Sequence, residues 1–130
     1  MPEIADAWAA QHDGWAPIFV LPDPNGSMLA DTECVDGKQG GAETYLTVDV
    51  RTFAVERLGA APGPSAWMVG GLSEGGYCGA MLAMRHPDLF GGFLDFGGDD
   101  RPTHTGGAAA IFSGSPQAVA DSVRAYSLRT

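Results

Sequence analysis

The sequence is short of positive charge, of cysteine and of long apolar runs. Seven Lys and Arg stand against 16 Asp and Glu, a formal charge of −9, and the bases are nowhere clustered. Nucleic-acid binding needs a basic face to meet phosphates, so that class is set aside, and the acidic excess reads as solvated surface. No apolar stretch approaches the roughly 20 residues that cross a bilayer, so no membrane-spanning segment is expected. The start, Met1-Pro2-Glu3-Ile4-Ala5-Asp6, is acidic and lacks the basic region and apolar core of a signal peptide. As written, the chain reads as soluble. The two cysteines, Cys34 and Cys78, are too few for a disulfide framework, and no C-x-x-C spacing suggests zinc. Two readings stay open: a loop thiol and a buried helix thiol, or a bridge between their segments, which needs an oxidising compartment.

What the chain has in quantity is glycine, 19 of 130 residues, and proline, 9. With 45% apolar residues it is long enough for one domain, residues 1–130, around a real core. The glycines gather at Trp67-Met68-Val69-Gly70-Gly71-Leu72-Ser73-Glu74-Gly75-Gly76-Tyr77-Cys78. A short apolar run enters a glycine-flanked serine, and a helix-compatible run, 79–86, leaves it and stops at Pro87. Gly71-Leu72-Ser73-Glu74-Gly75 fits G-x-S-x-G, the nucleophile elbow of serine hydrolases. A nucleophilic serine must stand clear of the sheet, which forces a tight, strained turn, and flanking glycines let strand and helix approach. The following helix aims its first N–H groups at a developing oxyanion, the Glu74 N–H first among them. The pattern alone is weak in so glycine-rich a chain. The alternative is a glycine-rich turn whose Ser73 merely caps a helix.

Helices are expected over Pro2–His12 and, as an amphipathic segment, over Ala42–Leu58, which Gly59 stops. Ala16–Leu21, cut by Pro22, fits a strand buried on both faces. Pro22-Asp23-Pro24-Asn25-Gly26-Ser27 is dense turn chemistry. The acids of the loop after it lack EF-hand spacing, so solvation is favoured over a metal, and no cofactor is expected. Gly92–Phe96 reads as a third strand, Gly106–Phe112 as a short helix, and Ser115 opens a last helix running to about Tyr126. This alternation predicts an α/β fold with a parallel sheet of about three strands.

The elbow and its surroundings together resemble the esterase D-type branch of the α/β-hydrolases, which includes the mycobacterial mycolyltransferases. The residues that carry this are Leu21-Pro22-Asp23-Pro24-Asn25-Gly26-Ser27, Asp31-Thr32-Glu33-Cys34, Ala42-Glu43-Thr44-Tyr45-Leu46-Thr47, Gly70–Gly76, Arg85-His86-Pro87-Asp88-Leu89-Phe90 and Phe93-Leu94-Asp95-Phe96. The resemblance runs from about residue 16 to about residue 100. It implies a partial α/β-hydrolase fold, a three-layer sandwich whose short, mostly parallel sheet is flanked by helices. It implies a serine ester hydrolase acting on a small-molecule or lipid ester, with Ser73 the nucleophile and the Glu74 N–H an oxyanion donor. The alternatives are acyl transfer of the mycolyltransferase type and a catalytically silent fragment. An extracytoplasmic setting is hinted by the same resemblance.

The family's second oxyanion donor, catalytic acid and histidine come from strands with no counterpart here, so the chain is expected to be an incomplete, truncated catalytic domain. In that fold a strand lies between the one ending at Leu21 and the elbow strand. Its absence would leave a gap of about 10 Å unless the two close up or a partner fills it. Of the three histidines, His12 ends the first helix, and His86 lies behind the elbow and reads as structural. His104, after the third strand, is the local candidate base, with Asp99 or Asp100, or else a surface loop residue.

Overall fold

The computed structural model describes residues 2–27 and 29–129. In chain order its elements are α1 (Pro2–Gln11), β1 (Asp36–Gly37), β2 (Gly40–Gly41), α2 (Ala42–Thr44), a π-helical stretch (Tyr45–Val50) and α3 (Arg51–Leu58). A 3₁₀ turn (Pro64–Ala66), β3 (Met68–Leu72), α4 (Glu74–Arg85), β4 (Gly92–Phe96), α5 (Ala108–Ile111) and α6 (Pro116–Ala125) follow. No helix among the described residues is long and apolar enough to cross a membrane.

Residues 42–58 are helical throughout, as the amphipathic pattern predicts. Asp36 opens the segment by accepting from the Thr44 N–H at 2.9 Å and its hydroxyl at 2.5 Å, and Gly59, at φ 73°, ends it. In its widened middle the Thr47 hydroxyl donates to the Glu43 carbonyl at 2.8 Å, competing with backbone bonding. Ser115 caps α6 through the Ala118 N–H, with Pro116 at the first helical position.

The expected three-layer sandwich with a parallel sheet of about three strands does not form. The sheets of the described residues are two pairs: β3 with β4, parallel, and the two-residue ladder of β1 and β2, antiparallel. Ala16–Leu21 is irregular, and Ile18, Phe19, Val20 and Leu21 are exposed. The reason is partnership. An apolar run becomes a strand only when a neighbouring strand takes its N–H and C=O groups, and none lies beside this one. The sheet is also covered on one face only. In register, Leu72 pairs with Phe96 and Gly70 with Leu94. Met68, Leu72, Leu94 and Phe96 therefore share a face, and all are exposed.

The other face carries α4. A Cβ on Gly79 would lie 2.6 Å from the Gly70 Cα, so helix and strand touch backbone to backbone and only glycine fits. Beyond α4 sits the core: Tyr77, Cys78, Met81 and Leu82 from the helix, Cys34 and Val35 from the loop before β1, and Phe90, Ile111 and Phe112. Val119 and Val123 of α6, and Tyr126 just after it, close over it. A Cys34–Cys78 disulfide, Cα–Cα 5.6 Å, ties that loop to α4. This is the second of the two cysteine readings.

Candidate functional site

The expected elbow is present as strand, turn and helix. β3 ends at Leu72, α4 begins at Glu74, and Ser73 between them has φ 56° and ψ −119°. That conformation suits glycine and costs an L-residue on the order of 1–3 kcal/mol. Sequence forces it. Gly71 and Gly75 pass so closely that a Cβ on Gly71 would sit 3.0 Å from the Gly75 backbone. The Ser73 N–H donates to the Phe96 carbonyl at 3.1 Å, which fixes the turn to the end of β4.

Ser73 is exposed, and its side chain does not cap the helix, so the alternative reading of a capping serine does not hold. Its carbonyl instead accepts from the N–H groups of Gly76 and Tyr77. The N–H groups of Glu74 and Gly75 are then left without an acceptor among the described residues, at the positive end of a 12-residue helix. Open donors beside an exposed hydroxyl are what an oxyanion requires.

No described residue hydrogen-bonds the Ser73 hydroxyl. His104 is engaged elsewhere: its Nδ1 accepts from the Gly106 N–H at 2.8 Å, and its Nε2 faces Gln39 at 2.9 Å. Asp99 accepts from the Thr103 hydroxyl and Asp100 pairs with Arg129, so neither orients His104. His86 meets Glu43 at 2.7 Å, behind the elbow, in a structural role. His12 accepts from no catalytic group and stacks on Trp8. Two surface concavities, one lined by Asn25, Thr32 and Tyr45 and the other by Leu21, Tyr45 and Phe53, do not include Ser73.

Two networks around the elbow lie beyond what the sequence reading picked out. In the first, Asn25 donates to both Glu74 carboxylate oxygens, at 3.2 and 3.0 Å, while its own carbonyl oxygen accepts from the Thr32 N–H and hydroxyl, each at 2.8 Å. The dense turn chemistry of residues 22–27 was the available signal, but it does not disclose a partner 49 positions away. Glu33, beside this network, is buried and accepts from the Thr103 N–H. Burial pushes its carboxyl above the usual value, the Thr103 bond opposes this, and Asp31, Glu74 and Asp99 add to it. In the second network Glu43 receives Arg85, His86 and Tyr126. Burial alone would raise the Glu43 carboxyl, but these three bonds outweigh it and hold it low. Tyr126 is pushed up to about 12, by burial first and then by its bond to Glu43.

Cys34, Cys78 and Glu74 bring two sulfurs and a carboxylate oxygen within 4.8 Å of one another. The sulfurs are bonded to each other, so they offer no thiolate to a metal.

Over 101 residues, 78% of its length, the chain is 37% identical to an uncharacterized protein of Corynebacterium glutamicum. The matched stretch is 24% of that protein, so the chain spans about a quarter of this relative's length. No family model matches the chain. No solved structure matches it either.

Proposed function

We propose that the chain is the nucleophile-bearing part of a serine ester hydrolase. The observation that carries this is the backbone of Ser73, strained at φ 56° and ψ −119° between β3 and α4, with open N–H donors beside it. The resemblance of the surrounding residues to esterase D-type proteins supports the same reading. The Ser73 oxygen attacks an ester carbonyl, the alcohol leaves, and water releases the acid from the acyl-serine. The oxyanion rests against the Glu74 N–H. If the acceptor is an alcohol such as a sugar in place of water, the same steps perform acyl transfer.

Reaction with a fluorophosphonate probe tests the proposal: the Ser73 oxygen displaces fluoride from phosphorus, a step that the good leaving group makes less dependent on a base than ester hydrolysis. Peptide mass spectrometry should find the phosphonyl group on Ser73 of folded protein and on no residue of Ser73→Ala. Absence of labelling overturns the reading. The lack, among the described residues, of a base bonded to Ser73 favours a second reading, a chain that is catalytically silent alone. In that case p-nitrophenyl esters are not turned over above the Ser73→Ala background, and a turnover lost in that variant rejects it.

A further inference from the structure

Glu74 presents a problem to the site it opens. Its N–H is the oxyanion donor, yet its side chain carries a negative charge at the first position of α4. A carboxylate there is drawn toward the free N–H groups of the helix N-terminus. Swung into that place, it would occupy the donors and repel an oxyanion.

The structure holds it elsewhere. A carboxylate oxygen of Glu74 lies within 4.8 Å of both sulfurs of the Cys34–Cys78 bridge. Cys78 is one turn further along α4, and among the described residues no N–H of the helix start donates to the carboxylate. Asn25 holds it there, by donating to both oxygens. The orientation of its amide is set by chemistry, since the oxygen that accepts from the Thr32 N–H and hydroxyl leaves only the NH₂ to face Glu74. The loop that presents Asn25 is anchored to the same helix through the disulfide, and Glu33 pins it to Thr103.

We infer that Asn25 is a positioning residue for the elbow: it holds the Glu74 carboxylate off the helix N-terminus and leaves the donors open to substrate. This rests on the acyl-accepting reading of Ser73.

The test compares the rates at which the fluorophosphonate labels wild type, Asn25→Asp, Glu74→Gln and the double variant. Asn25→Asp keeps the acceptor oxygen for Thr32 and replaces the donor by a second carboxylate, which drives Glu74 away. It should label roughly tenfold more slowly at saturating probe, a fraction of what an entire oxyanion donor supplies, with half-saturation unchanged. Glu74→Gln keeps the backbone N–H and removes the charge, so adding Asn25→Asp to it should cost no further labelling rate, whatever Glu74→Gln does alone. In the double variant the amide donates in the opposite direction, and the rate should return to that of Glu74→Gln. Equal labelling of wild type and Asn25→Asp overturns the inference but leaves the elbow reading standing. So does a double variant as slow as Asn25→Asp, because a mere loss of loop structure would not respond to the charge at position 74. Matching thermal melts confirm that each variant is folded. No labelling of wild type overturns both the reading and the inference.

Discussion

Among the described residues, Ser73 is one of four non-glycine residues with positive φ, with Asp13, Glu33 and Cys34. Its ψ of −119° sets it apart from the left-handed turn region, since the pair of angles matches a turn position that glycine fills at no steric cost. Replacing Ser73 by glycine should therefore relieve strain, less the extra entropy a glycine loses on folding. The expected result is a gain of about 1 kcal/mol in urea-induced unfolding, together with complete loss of fluorophosphonate labelling. An unchanged or lower stability would mean that the elbow stores no strain. This much was legible in sequence, because the constraint is local: Gly71 and Gly75 flank Ser73 within two residues, and Gly79 meets Gly70 across one turn of chain. The partners of Ser73 and Glu74 were not. Asn25 reads as a turn former, and nothing in a turn pattern states that its amide also reaches the elbow helix.

Between elements, Glu43 ties three segments together. It stands at the start of the 42–58 helical segment and gathers Arg85 and His86 from the end of α4 and Tyr126 from the end of α6. Its side chain is 8% exposed, whereas that of Arg85 is 34% exposed, so the pair is screened on one side only. Removing the charge by Glu43→Gln should cost about 2 kcal/mol at neutral pH, less than the loss of a fully buried partner. The pH dependence has a definite sign. The folded carboxyl titrates below its ordinary 4.5. Its contribution is therefore complete above that value and disappears as the pH falls through the lower folded one. Glu33, held above 4.5 by burial, acts in the opposite direction. The difference between wild type and Glu43→Gln isolates the first effect: denaturant unfolding from pH 7 to pH 3 should show a gap that closes with acid. A gap constant with pH would assign the loss to packing. The same scale shows why the strand expected at Gly92–Phe96 forms and the one expected at Ala16–Leu21 does not. Both are short apolar runs ended by turn residues. The first lies beside β3 in register, whereas the second has no neighbour, and the identity of a neighbour is not written within a run.

For the whole molecule the question is what the exposed sheet face means. The chain exposes 8103 Å², against about 6,500 Å² for a compact protein of 13.5 kDa. Part of the excess is apolar and contiguous by register: Met68 and Leu72 of β3 beside Leu94 and Phe96 of β4, between 50% and 77% exposed. Apolar area grouped in this way departs from the scattered exposed residues normal on a surface. It also explains why the expectation of two helical layers fails while the elbow survives. The elbow depends on β3, α4 and the end of β4, all of which the covered face supplies. The open face supplies no energy to the fold, and that can be measured. Leu72→Ser should leave unfolding stability within about 0.5 kcal/mol of wild type, as for a surface site, and not the several kcal/mol of a core truncation. The same substitution should lower the fluorescence of a dye that binds apolar surface. A large loss of stability would place Leu72 in a core. Unchanged dye binding would show that the β3–β4 face is not the apolar surface the dye meets. With both outcomes as expected, the elbow is held from one side of the sheet alone, by the glycine contact of α4 on β3 and the Cys34–Cys78 bridge.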